Sequence, residues 1–139
     1  MDKVIRLGVT RRDFIHILAL SERPEEVQNA ELYVSRLGLR PEYDPDAIGL
    51  FIDGKAMAAG GLLDVAPGVV MLWVISAVDL GEYRFSLMRH ARRLMKQAQE
   101  KGMRVISAIP ATIERAKNPS LHLGLKPVRE LQPGITLYA

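Results

Sequence analysis

Basic residues are concentrated in one stretch of this 139-residue sequence. Six of them, opposed locally by Glu82 and Glu100, lie in a segment that predicts a helix: Arg84, Arg89, Arg92, Arg93, Lys96 and Lys101. At the start of this segment, Arg84 and Ser86 can offer a guanidinium and a hydroxyl to a phosphate group. A helix start favours an anion further, because its free N–H groups and the helix dipole point toward it.

Three interpretations of this basic helix are open. It is a solvated face, or it contacts a phosphate group of a cofactor, or it is a docking surface for another protein or a nucleic acid. The formal net charge is only +3, from 19 basic and 16 acidic residues, which does not by itself indicate a nucleic-acid-binding protein. Aromatic residues do not interleave with the arginines beyond Tyr83 and Phe85, so a nucleic-acid partner is not expected.

Composition excludes several kinds of site. The sequence has no cysteine, which rules out disulfides, thiolate metal sites and a cysteine nucleophile. Its three histidines, His16, His90 and His122, are too scattered to indicate a metal site. Hydrophobic residues make up 48% and charged residues 25%, which is ordinary for a globular protein, and the length predicts a single domain over residues 1–139.

The sequence carries no signal for a membrane or an export route. No apolar run approaches the roughly 20 residues of a membrane span. The first residues, Met-Asp-Lys-Val-Ile-Arg, lack the apolar segment of a signal peptide. We therefore expect a cytoplasmic protein with no membrane partner.

The first part of the chain predicts a strand followed by two helices. Residues 4–9 are typical of a short strand, and Thr10 with Asp13 forms a capping-box-like start for a helix through Leu20. A second amphipathic helix is predicted over 24–37, with Gly38 as its stop. Residues 39–46, which contain two prolines, are predicted to form a loop.

Three consecutive strands are predicted next, as an antiparallel meander over 48–52, 55–65 and 69–78. Asp53-Gly54 between apolar runs is a hairpin signal. Gly60-Gly61 in the middle strand indicates either a bulge or a close approach of backbone. Trp73 lies in an apolar strand and is assigned to core packing rather than to a ligand platform.

The basic helix, predicted over 83–101, is followed by a strand over 104–109, a helix over 111–123, and strands over 125–131 and 135–138. The full order is β-α-α-β-β-β-α-β-α-β-β. A run of strands framed by helices predicts an α/β protein with a mixed sheet rather than a doubly wound one.

This order resembles the GNAT family of N-acetyltransferases over nearly the whole chain. Residues 52–55 together with 59–61 look like the family's hairpin. Residues 101–105 look like its junction between the third helix and the fifth strand. Residues 118–128 look like its fourth helix running into the next strand. Among these proteins the sequence looks most like the short forms of tailed bacteriophages, including internal virion proteins. Those forms share a Trp in the fourth strand, here Trp73, and a basic third helix without glycines.

The resemblance implies acetyl-CoA as cofactor, held where the fourth strand leads into the basic helix. The residues it places there are Val78, Arg84, Ser86 and Leu87. Tyr83, Phe85 and Leu87 stand where family members often carry glycine or alanine, which let the backbone approach the pyrophosphate.

The resemblance also implies a mechanism, namely direct attack of an amine on the thioester. The family's tyrosine acid on the fourth helix is replaced here by Ser120. No carboxylate lies within 69–78, and Asp79 comes directly after it. The catalytic residues are therefore not assigned, although orientation alone can lower the barrier by several kcal/mol.

Two functions of different class follow. The first is an N-acyltransferase that moves an acetyl group from acetyl-CoA to an amine. The second is a non-catalytic GNAT-fold phage virion or assembly protein that contacts viral structural proteins, located in the host cytoplasm or the virion. A third alternative, a nucleic-acid adaptor, would use Arg89, Arg92, Arg93 and Lys96, and its affinity would fall steeply with salt.

Overall fold

A computed structural model of the chain describes residues 3–20, 36–77, 83–110, 120 and 123–139. These residues form a mixed α/β structure, which confirms the predicted fold class. Its elements are β1 (Lys3–Leu7), α1 (Arg11–Leu20), a 3-10 turn (Pro41–Tyr43), β2 (Ile48–Ile52), β3 (Lys55–Ala66), β4 (Val69–Ser76), α2 (Tyr83–Glu100), β5 (Arg104–Pro110), β6 (Pro127–Gln132) and β7 (Ile135–Tyr138).

The strands form one sheet in the order β1-β2-β3-β4-β5-β7-β6. Strands β1 to β4 are antiparallel neighbours, which confirms the predicted meander of β2, β3 and β4. Strand β5 then pairs parallel to β4, and β7 and β6 continue the sheet antiparallel. The parallel pair is possible because α2 lies between β4 and β5 in the chain and returns it to the same end of the sheet.

Several predicted boundaries differ from the observed ones. Strand β1 ends at Leu7 rather than at residue 9, because Gly8 has a φ of 90° and leaves the extended conformation. Strand β4 ends at Ser76, and β6 begins at Pro127 rather than at Leu125, whose side chain is buried. The loop over 39–46 contains the 3-10 turn. The helices predicted over 24–37 and 111–123 lie outside the described residues except at 36–37, 120 and 123.

Each face of the sheet carries its own apolar core. Successive residues of a strand point to opposite faces, so Trp73 and Ile75 of β4 pack with Phe14 and Ile17 of α1. On the other face, β4 contributes Val70 and Leu72, and α2 contributes Met95 and Ala98. The two helices therefore cover opposite faces of the central strands. Neither described helix is long and apolar enough to cross a membrane.

Both described α-helices are capped, and the cap of α1 lies where the sequence predicts it. At the start of α1, the Asp13 amide donates to Thr10 Oγ1 at 3.2 Å and the Thr10 amide donates to Asp13 Oδ2 at 3.0 Å. At the end of α2, the Met103 amide donates to the Ala98 carbonyl at 3.0 Å and the Gly102 amide donates to the Gln99 carbonyl at 2.9 Å. The second pair of bonds is a Schellman motif, which satisfies carbonyls at the helix end.

The reciprocal cap of α1 predicts a measurable loss of stability on its removal. Thr10→Ala removes the acceptor of the Asp13 amide, and we expect the free energy of unfolding to fall by about 1 kcal/mol. Urea unfolding followed by circular dichroism measures this difference. The control is Arg12→Ala on the exposed side of the same helix, for which a change within about 0.5 kcal/mol is expected. Equal effects of the two substitutions would contradict the capping assignment.

Candidate functional site

The hydrogen-bonded pairing between β4 and β5 stops halfway along the strands. Residues Val69–Met71 pair with Arg104–Ile106, and beyond Met71 and Ile106 the two strands no longer pair. The second half of β5 pairs instead with β7 on its other edge, from Ser107 opposite Tyr138 to Pro110 opposite Ile135. Since β4 and β5 are parallel, the resulting opening lies at the carboxyl ends of both strands. We call it the β4–β5 opening.

The start of α2 belongs to the same end of the sheet. Five residues, 78–82, separate Ala77 from Tyr83 along the chain, so the helix begins close after the end of β4. The first turn of α2 contains no acidic residue, which leaves the positive end of the helix dipole without a carboxylate of its own helix. In open α/β sheets, the carboxyl ends of strands together with a helix start are the usual place for a phosphate-bearing ligand.

The structure describes only part of the predicted cofactor contacts. Ser86 and Leu87 lie in the first turns of α2 and are both half-buried. Arg84 is in the first turn, but its side chain is outside the described part of the structure, as is the whole of Val78. The assignment of these four residues to a cofactor therefore stays a prediction.

The strand segments that flank the opening offer little acid–base chemistry. Residues 72–77 and 107–110 contain neither a carboxylate nor an imidazole, and their polar side chains are Ser76 and Ser107. Both serines are buried, in line with the structural role that their alternation with apolar residues predicts. These two strand segments therefore bring no carboxylate or imidazole base to the opening.

Ser120, which the resemblance predicts to stand in place of a tyrosine acid, is held in the interior. Its side chain is 1% exposed, and its Oγ lies 2.5 Å from Oγ of Ser107 on β5. Its carbonyl accepts hydrogen bonds from the amides of Leu123 and Leu125, at 3.2 and 3.0 Å. This serine thus fastens the segment that precedes β6 to the second half of β5, beside the opening.

The most constrained side chain of β4 is Trp73, on the part of the strand that no longer pairs with β5. The residue is fully buried, as its assignment to the core predicts. The ring lies 6.1 Å from that of Phe14, centroid to centroid. The indole Nε1–H donates to Asp44 Oδ2 at 3.1 Å, and Asp44 Oδ1 accepts the amide of Asp46 at 2.9 Å. Both oxygens of this buried carboxylate are therefore engaged.

Burial raises the pKa of Asp44 above its ordinary value of 3.8. The hydrogen bonds from the Asp46 amide and the Trp73 indole act in the opposite direction, since they stabilise the charged form. Asp46 and Asp64 raise the pKa further by repulsion between like charges. The net result is a carboxylate that gains a proton more readily in the folded protein than in the unfolded chain.

The glycine pair in β3 allows this arrangement by letting other groups come close. A Cβ on Gly61 would collide with Oδ2 of Asp44, and a Cβ on Gly60 would lie 2.8 Å from the carbonyl oxygen of Trp73. The close-approach interpretation of the pair is confirmed. The bulge interpretation is wrong, because both glycines are in regular register with β4, and the irregularities of β3 lie between Asp64 and Ala66 and opposite Leu50 and Phe51.

Asp44 was not found by sequence reasoning, although two signals pointed to it. A buried indole N–H needs an acceptor, and Asp44-Pro45-Asp46 has the composition of a turn in which an Asp side chain bonds the backbone two residues on. Neither signal identifies the partner, because Asp44 and Trp73 are 29 residues apart.

The structure is similar to solved acetyltransferases. The GNAT domain of PAT from S. lividans matches with a TM-score of 0.62 and 12% identity, over 96% of this chain and 87% of that one. The ribosomal-protein-S18-alanine N-acetyltransferase of Escherichia coli matches with a TM-score of 0.60 and 14% identity, over 99% of this chain and 92% of that one. The protein yncA of Salmonella typhimurium, solved with its cofactor acetyl-CoA, matches with a TM-score of 0.58 and 13% identity, over 98% of this chain and 91% of that one. The chain therefore has the fold of the GNAT acyl-CoA N-acyltransferases.

No protein-family model matches the sequence. No curated protein matches it either. The similarity therefore rests on the path of the backbone, and the identities of 12 to 14% show a common fold alone.

The contact between Gly61 and Asp44 predicts that two substitutions do not add. Gly61→Ala places a methyl group against Asp44 Oδ2, and we expect a loss of about 2 kcal/mol in the free energy of unfolding, as for overpacked sites. Asp44→Ala removes the obstructing carboxylate but leaves the Trp73 N–H without its acceptor. The double variant should then be less destabilised than the sum of the single ones, by more than about 0.5 kcal/mol. Additive losses in urea unfolding would contradict the close approach.

The raised pKa of Asp44 predicts a pH-dependent difference from Asp44→Asn. In the pH range between 3.8 and the raised value the folded state binds more protons at this site than the unfolded chain. The free energy of unfolding of the native protein must then fall, relative to that of the variant, as pH rises through this range. Urea unfolding of both proteins at a series of pH values, from about pH 3.8 upward, measures the difference. A constant difference, or one that grows as pH rises, would show that this pKa is not raised.

Proposed function

We propose that this protein is an N-acyltransferase that takes an acyl group, acetyl in the simplest case, from acyl-CoA and transfers it to an amine. The observation that carries the proposal is the end of β4–β5 pairing after Met71 and Ile106, next to the start of α2. In this arrangement, a strand edge and a helix start lie at the same end of the sheet. The similarity in fold to yncA, which was solved with its cofactor acetyl-CoA, supports acyl-CoA as the ligand.

Two parts of acyl-CoA, the pantetheine arm and the pyrophosphate, match the chemistry of the β4–β5 opening and of the start of α2. The pantetheine arm contains two amides, which can hydrogen bond to strand backbone as a further strand would. The pyrophosphate is suited to the start of α2, where no acidic residue of the first turn would repel it. We assign Arg84 and Ser86 to phosphate oxygens and Val78 and Leu87 to the walls on either side.

The reaction is the attack of an amine nitrogen on the thioester carbonyl carbon. A C–N bond forms, the C–S bond breaks, the amine loses one proton and the sulfur leaves as the thiol after gaining one. Among the described residues flanking the opening, none offers a carboxylate or imidazole base. The proton therefore passes to water in this proposal, and the protein contributes by holding the two reactants in line.

A second function is favoured by the position of Ser120. Its hydroxyl is buried against Ser107 rather than presented as an acid, and a fold can persist after its chemistry is lost. The chain would then be a non-catalytic GNAT-fold protein, for instance a phage virion or assembly protein, that works through contacts with viral structural proteins.

Binding of acetyl-CoA separates the two functions. We expect saturating acetyl-CoA to stabilise the folded protein, by about 2.7 kcal/mol at one hundred times its dissociation constant. Arg84→Ala and Ser86→Ala should each weaken binding about tenfold or more, since each removes a hydrogen bond to a charged group. Isothermal titration calorimetry measures the affinities. Lys101→Ala, at the opposite end of the same basic segment, is the control and should bind as the native protein does.

The absence of heat and of thermal stabilisation at about millimolar acetyl-CoA would refute the acyltransferase proposal. Co-purification with viral structural proteins or self-assembly in light scattering would then support the second function. Binding that Arg84→Ala and Ser86→Ala leave unchanged would keep the ligand but refute its place at the start of α2.

A further inference from the structure

The outer face of α2 is a basic surface, which we call the α2 basic face and define as Arg89, Arg92, Arg93 and Lys96. Arg89 is three and four residues before Arg92 and Arg93, and Lys96 is four and three residues after them, so the four lie along one side of the helix. All four are exposed, while Met95 and Ala98 on the opposite side are buried against the sheet. The basic residues that the sequence places close together are therefore presented together to solvent.

The charged residues of α2 destabilise the helix itself. The helix carries five basic residues and one carboxylate, Glu100, in a chain whose net charge is only +3. Basic residues three and four positions apart repel one another, and Glu100 lies at the negative end of the dipole, where a carboxylate is disfavoured. Within the described part of the chain, Arg89, Arg93 and Lys96 make no ion pair or hydrogen bond. An anion from outside the chain would relieve this repulsion.

The composition of this face indicates which kind of anion fits. Protein partners depend on apolar and aromatic anchors at the centre of an interface, and the exposed residues from Arg89 to Glu100 are only Arg, Lys, Gln and Glu. Three of the four basic residues are arginines, which bind phosphates in a fork. Unpaired bases would need aromatic side chains for stacking, and this face has none. These features favour the phosphate backbone of a duplex.

We propose that the α2 basic face binds the backbone of double-stranded nucleic acid without sequence preference. Composition alone argued against such a partner, because a net charge of +3 is small. The structure changes that argument, since four basic side chains share one exposed face and their charge is not spread over the surface. The proposal does not depend on acyl transfer, because it uses none of the residues assigned to acyl-CoA.

Fluorescence anisotropy with a labelled DNA duplex of about 20 base pairs tests the proposal. Four phosphate contacts predict that the logarithm of the binding constant falls with the logarithm of salt concentration with a slope of about −3.6. Between about 50 and 200 mM salt the affinity should therefore drop about 100-fold. The double variant Arg89→Gln/Arg93→Gln should reduce the magnitude of the slope by about 1.8.

The matched control is Arg11→Gln/Arg12→Gln, which removes the same charge from exposed positions on α1. It should leave the slope near that of the native protein. Equal loss in both double variants would overturn the proposal, because net charge rather than this face would then govern binding. No binding at about 50 mM salt, tighter binding of the single strand, or equal competition by polyglutamate would overturn it as well.

Discussion

The indole of Trp73 is the point on which the centre of the sheet depends. A fully buried N–H must find an acceptor, since an unpaired one costs about 1–3 kcal/mol, and here the acceptor is Asp44. The bond joins the loop before β2 to the middle of β4, over the face of β3 at Gly61. It is possible only because Gly61 has no side chain at the place that the carboxylate occupies. Phe14 of α1 packs against the same ring. Loop, sheet and helix thus converge on one side chain.

This arrangement fixes β4 where the strand loses its neighbour. Beyond Met71 the strand no longer pairs with β5, so its position there depends on β3 on one side and on the packing of its side chains. Trp73 lies two residues beyond that point and supplies the packing on the α1 face. Strand β5 is held differently, because its second half pairs with β7 and its Ser107 is bonded to Ser120. The two walls of the opening are therefore supported independently.

The predictable parts of this fold are those that local chemistry decides. The cap at Thr10 and Asp13 and the turn at Asp53-Gly54 each depend on residues within a few positions of one another, and each lies where the sequence predicts it. The glycine pair left two interpretations open, because the deciding contact comes from Asp44, far away in sequence. The β4–β5 opening could not be located from the sequence, because it arises where pairing between distant strands ends, and no spacing along β4 or β5 marks Met71 or Ile106 as the last pair.

The fold and the function therefore rest on different evidence. Solved acetyltransferases at 12 to 14% identity establish the path of the chain, but many functions share one fold. What the chain does must follow from its own side chains, and α2 offers two separate places for an anion. Its start can hold a phosphate through free N–H groups, whereas its outer face can hold one only through charged side chains. Arg84 and Arg89, the nearest basic residues of the two places, are five residues apart, about 7.5 Å along the axis. That distance is close to the roughly 8 Å over which exposed charges act at physiological salt, so an anion at one place is only partly screened from an anion at the other. One helix can therefore serve a small phosphate-bearing ligand or a polyanion, and each ligand would weaken the binding of the other.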